Sequence, residues 1–151
     1  LIWGYIYLFV LLSVLVYVQW AGERETRFAI WTVFVASVLT PAALIISGTR
    51  FETFSLLLTL LDFVMLAVYL GHALVSRRYW TLCLPAFQFI TCMTHLTKLV
   101  LPDLWPRLYS AGQGFWAYPQ MLVIVLATAW FQADRRRRRK QNDDPARRNA
   151  R

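Results

Sequence analysis

Cysteine, histidine and acidic side chains are all scarce in this 151-residue chain, and each scarcity removes a class of function. The two cysteines, Cys83 and Cys92, lie nine residues apart inside one apolar stretch. That spacing suits neither a disulfide framework nor a metal knuckle, so both read as small core hydrophobes. With two histidines and few carboxylates in the apolar runs, no set of nucleophile, base and orienting group can be assembled, and the chain is not expected to be an enzyme. There is no phosphate loop and no zincin pattern. Gly112, Gly114 and Ala117 match one form of the dinucleotide fingerprint. No strand precedes them, however, and Trp116 and Tyr118 mark a membrane boundary, so the match is chance. The absence of an internal repeat leaves a duplicated transporter architecture without support.

What remains is apolar. The chain is 58% hydrophobic and 16% charged, which places it in the membrane class and gives room for four or five crossings in a single domain. Runs of spanning length occur at 1–20, 28–47, 54–76, 79–101 and 115–132. They lack the alternating polarity of a barrel, and lipid cannot satisfy free backbone groups, so each is expected to be a helix. The fold class is therefore all-α: a polytopic membrane helix bundle of about five transmembrane helices over 1–132. The start, Leu1 to Tyr5, lacks the positive n-region of a secretory signal and is expected to remain as a helix. Leu101 to Gly114, with Trp105, Pro106 and Tyr109, suits a short amphipathic helix in the periplasmic headgroup layer. Pro41 predicts a kink in the second helix, with a pore hinge as the alternative.

The net charge is +8, and the excess sits mainly in Arg135, Arg136, Arg137, Arg138, Arg139 and Lys140, directly after the last apolar run. Basic clusters at that position meet anionic lipid and fix topology; an acidic cytoplasmic partner is the alternative, and nucleic acid is not expected. Residues 133–151 read as a disordered, cytoplasmic tail. With the tail inside, Arg24, Arg27, Arg77 and Arg78 also fall inside, leaving Arg50, Lys98 and Arg107 outside. Trp3, Tyr5, Tyr17, Trp20, Tyr79, Trp80, Trp116 and Tyr118 cluster at run ends as interfacial anchors.

The informative polar content lies on the third and fourth helices. Gln88, Thr91, His95 and Lys98 recur at helical spacing and form one stripe; Ser55, Thr59, Asp62 and Tyr69 form a matching one, with His72 close to the same face. The two helices turn at Arg77 and Arg78, with Asp62 about sixteen residues before the turn and His95 about seventeen after it. At ~1.5 Å per residue their depths agree within a few ångströms. An isolated membrane Asp costs ~2.5–3.5 kcal/mol, which an imidazole partner offsets. Asp62 and His95 are therefore expected to pair, either as a clasp holding the hairpin or as a proton-sharing or partner-recognising site, with Thr59, Tyr69, Gln88, Thr91 and Lys98 in support. His72 and His95 differ in depth by ~15 Å or more, so they cannot hold one haem between them. No cofactor is expected, although either histidine alone could ligate a pigment or haem supplied by a partner.

At Leu60-Leu61-Asp62, Ser76-Arg77-Arg78-Tyr79-Trp80, Phe87-Gln88-Phe89-Ile90-Thr91, Thr94-His95-Leu96 and Gly114-Phe115-Trp116-Ala117-Tyr118-Pro119, the chain resembles an uncharacterised family of small polytopic inner-membrane proteins of alphaproteobacteria. The resemblance covers about residues 55 to 132 and implies a bacterial inner-membrane protein without supplying a mechanism. Two functions fit the residues. One is a non-catalytic accessory or assembly subunit of a larger bacterial membrane complex, such as an energy-transducing (respiratory or photosynthetic) one, with lipids and other integral membrane subunits as partners. The other is a small proton-coupled transporter or proton-conducting protein centred on Asp62, His95 and Lys98.

Overall fold

The computed structural model of the chain describes residues 2–48, 56–101 and 115–142. Within them the chain is helical, with five α-helices and no strand: α1 (Ile2–Ala21), α2 (Arg24–Ser47), α3 (Leu56–Val75), α4 (Cys83–Val100) and α5 (Ala117–Asn142). The expected interfacial helix between 101 and 114 and the polar Ser55 lie outside the described residues, as does the tail beyond 142. Three helices are long and apolar enough to cross a membrane, over Gly4–Ala21, Arg24–Ile46 and Leu56–Val75. The other two fall short because they carry the polar load. Gln88, His95 and Lys98 interrupt α4, while Gln120, Gln132 and the basic run dilute α5.

Helix ends depart from the apolar runs for local reasons. α2 starts at Arg24, four residues before the apolar run, since Arg and Glu are good helix formers and Thr26 Oγ1 donates to the Glu23 carbonyl (3.0 Å). Gly48 ends it in the left-handed conformation (φ 63°), donating its N–H to the Ile45 carbonyl. α2 continues through Pro41, which leaves the Ser37 carbonyl without its usual donor. The segment Tyr79–Leu82 is a 3₁₀ turn, and α4 begins only at Cys83, where Pro85 falls in the first turn and its missing N–H is harmless.

One expectation is corrected outright. Residues 133–142, read as disordered, continue α5 as helix. Low apolarity marks the end of a membrane run, but Arg, Lys and Gln retain high helix propensity. Asp134 also pairs with Arg138 one turn on (2.9 Å), and the cations sit at the favourable end of the helix dipole.

Successive helices pack on one another, α1 on α2, α2 on α3, α3 on α4 and α4 on α5, and α5 also packs on α2 and on α1, to which it runs parallel. One end is lashed together by polar bonds. Arg78 pairs with Glu23 (2.9 Å), Ser76 Oγ donates to Glu25 (2.6 Å), and Gln132 Nε2 donates to the Ala21 carbonyl (2.9 Å). The α1–α2 turn, the α3–α4 turn and the exposed basic extension of α5 therefore share this end. Next to it the bundle is tightly filled by Val18, Ala29, Ile30, Tyr69, Leu84 and Ile124, all fully buried.

Candidate functional site

The opposite half of the bundle is open inside. A cavity of about 1080 Å³ lies among all five helices, walled by the start of α1, the second half of α2, the start of α3, the second half of α4 and the first turn of α5. Small residues leave the room: Gly4, Ala36, Ser37 and Ala117 all line it, where the filled half carries larger side chains. Leu11 and Val33, at the floor, are buried, and Phe34, Leu58 and Met65 continue an apolar wall.

Four polar side chains interrupt that wall as one connected chain of bonds. His95 Nε2 lies 2.7 Å from Asp62 Oδ2. Gln88 Nε2 donates to Asp62 Oδ1 (2.9 Å) and also approaches the Asp62 carbonyl (3.3 Å). Gln120 Nε2 donates to Gln88 Oε1 (3.0 Å). The result is directional: Gln120 sets which way the Gln88 amide faces, Gln88 presents an N–H to one oxygen of the Asp62 side chain, and the His95 ring meets the other. His95 is fully buried whereas the Asp62 side chain is 22% exposed, and both line the cavity.

The sequence-derived site residues divide into three groups. Asp62, His95, Gln88 and Thr91 come together on the cavity wall, with Thr91 Oγ1 donating back to the Phe87 carbonyl. Thr59 and Lys98 are buried on α3 and α4 but do not line the cavity. Tyr69 does not join them: its hydroxyl donates to the Ala29 carbonyl of α2 (3.4 Å), and its ring is part of the filled half. The stripe on α3 is wider than one neighbour, so its Asp62 edge meets α4 and its Tyr69 edge meets α2. His72 lies near the lashed end with its ring 4.7 Å from that of Phe28, its Nε2 enclosed without a hydrogen-bond partner, and it is absent from the cavity wall.

Two features escaped the sequence reading. Gln120 carried the same signal as Gln88, an amide inside an apolar run, but the next buried polar side chain on its helix, Thr128, lies two turns away and the two make no continuous stripe. Tyr7 and Ser37 form a second polar contact across the cavity (2.6 Å), joining α1 to α2. Tyr7 also meets Tyr118 of α5 edge to face, with ring centroids 5.6 Å apart. Tyr7 was hidden among ordinary interfacial tyrosines. Among the described residues no group of three or more His, Cys, Asp or Glu side chains could hold a metal ion.

Comparison with known protein families, curated proteins and solved structures finds no match to this chain.

Proposed function

We propose that the chain is a multi-pass protein of the bacterial inner membrane, with five crossings and a cytoplasmic C-terminus, whose interhelical cavity receives a lipid-soluble molecule at the Asp62–His95 pair. The observation that carries this reading is the coincidence of two features in one place. Protein interiors rarely keep voids larger than a water, and ligand pockets typically span ~300–1,000 Å³ with apolar walls and a few convergent polar groups. Here a cavity of about 1080 Å³ opens onto the carboxylate with the buried histidine at its back. Ionisable groups at membrane depth are costly, and a pair fixed by Gln88 and Gln120 is better ordered than a clasp between two helices requires. In this reading the chain binds without catalysing, and an accessory subunit of a larger membrane complex would hold the molecule for its neighbours.

A neutral photoactivatable diazirine hydrocarbon, added to the reconstituted protein, tests the cavity. Labelling is expected at the buried lining residues Leu11 and Val33 as well as on the outward surface, and Ala36→Trp, which places an indole in the cavity one turn from Val33, is expected to reduce the label at Val33 and leave the outward labels unchanged. Labels confined to outward-facing residues in the native protein would sink the proposal.

The topology rests on charge. Arg24, Arg27, Arg77 and Arg78 belong to the two turns at one end of the bundle, and the helical run Arg135 to Lys140 leaves from the same end. A fluorescent protein fused after the last residue is expected to mature, and alkaline phosphatase fused there to stay inactive. The reverse result would invert the map.

The accessory-subunit reading has a further support in α5 itself. From Arg135 to Asn142 it projects as an exposed basic rod that no other described helix covers. Such a rod suits anionic headgroups or the acidic face of a neighbouring subunit.

A further inference from the structure

We propose that the molecule taken by the cavity is a lipid-soluble cation, an inference that rests on the binding role above and adds the charge of the ligand. The cavity wall carries one acid, with the His95 ring bonded to it and also in the lining. Among the described residues Asp62 is its only carboxylate, and no lysine or arginine lines it. Lys98, the basic residue nearest in sequence to His95, is buried on α4 outside the lining.

The Asp62 carboxylate is held by two partners. Gln88 Nε2 donates to one oxygen (2.9 Å), the His95 ring meets the other (2.7 Å), and Gln120 fixes the Gln88 amide so that its donor end faces the acid. A carboxylate set in an apolar wall attracts a cation more strongly than one in water does. The side chain is 22% exposed and lines the cavity. An anionic ligand would meet that carboxylate with only the His95 ring beside it.

Aromatic rings supply the rest of the recognition. Tyr7, Phe34, Phe115 and Tyr118 line the same cavity, with Tyr7 and Tyr118 in edge-to-face contact. Ring faces attract cations and accept bulky apolar groups equally well. A cation with its charge spread under hydrocarbon loses little hydration on leaving water, and so can reach a site at membrane depth where a small hydrated ion cannot.

The test compares two probes of one shape and opposite charge, tetraphenylphosphonium and tetraphenylborate, on the full chain in nanodiscs of zwitterionic lipid. Tetraphenylphosphonium is expected to bind saturably, and tetraphenylborate on the order of tenfold more weakly or not at all. Asp62→Asn should reduce phosphonium binding on the order of tenfold while the neutral diazirine still labels Leu11 and Val33. Arg78→Gln, outside the cavity, should leave both unchanged. Equal binding of the two ions, or phosphonium binding indifferent to Asp62→Asn, overturns the inference even where the diazirine result upholds the cavity as a binding site. Should Asp62→Asn fail to assemble, the two ions on the native protein still decide. Loss of diazirine labelling in the native protein removes the binding role itself.

Discussion

Asp62→Leu is expected to destabilise the bundle by about 1–3 kcal/mol, whereas Asp62→Asn should stay within about 1 kcal/mol of the native protein. Two opposing terms set the sign. Removing a carboxylate from membrane depth relieves a cost of at most ~2.5–3.5 kcal/mol, and less here because the side chain already reaches the cavity. Against that, leucine breaks two bonds to the carboxylate, at ~0.6 kcal/mol each, and takes an acceptor away from Gln88 Nε2 and the buried His95 ring, at ~1–3 kcal/mol, with Gln88 keeping its longer contact to the backbone carbonyl of residue 62 (3.3 Å). Loss of the acceptor wins. Asparagine avoids it, since its carbonyl can accept from Gln88 while its amide donates to the histidine ring in the other tautomer. The double replacement Asp62→Leu with His95→Leu removes donor and acceptor together and is expected to cost clearly less than the two single changes added. Unfolding in mixed micelles of rising denaturing-detergent content, followed by tryptophan fluorescence, gives all four values. A leucine variant as stable as the native protein would mean that the pair is a liability of insertion tolerated for function, with no structural share.

The helices were legible because long apolar runs without alternating polarity do not suit strands, and each such run forms its backbone hydrogen bonds within itself as a helix. Their ends were not, because apolarity and helix propensity are different properties. Arg24 and Arg135 lie outside the oily runs and inside the helices, for the same reason that arginine is both charged and a strong helix former. The meeting of Asp62 with His95 could be read from equal depth on either side of a short turn, a purely geometric argument that needs no tertiary knowledge. Depth says nothing about azimuth, and that is why Tyr69 was grouped with Asp62 yet turns toward Ala29 on the other neighbour. Gln120 belongs to a helix that joins the bundle late in sequence, and no spacing rule ties it to Gln88, thirty-two residues away. The cavity itself had no sequence signal beyond scattered small residues, since an open volume is a property of how five helices lean together.

Gly22→Ala is expected to disturb that lean from the far end of the molecule. A Cβ on Gly22 would lie 2.5 Å from the Val18 carbonyl oxygen and 2.5 Å from Thr26 Oγ1, closer than real contacts come. Neither neighbour yields cheaply. The first is backbone and already accepts the Gly22 N–H (2.8 Å), and Val18 and Thr26 are both fully buried. Overpacking of this kind costs ~1–3 kcal/mol, and part of it can be relieved by rotating α1 against α2 about the turn. Tyr7 lies fifteen residues up α1 from Gly22, about 22 Å at ~1.5 Å per residue, so a tilt of about 5° moves it by about 2 Å. That displacement breaks the Tyr7–Ser37 contact of 2.6 Å and reshapes the cavity without touching a residue that lines it. Gly4→Ala is the matched control: Gly4 lines the cavity, yet a Cβ there meets nothing within 4 Å. Diazirine labelling of Leu11 and Val33 should therefore fall severalfold in Gly22→Ala and hold in Gly4→Ala. Equal labelling in the two variants would show that the α1–α2 turn does not set the shape of the cavity, and the link from this glycine to the binding site would be lost.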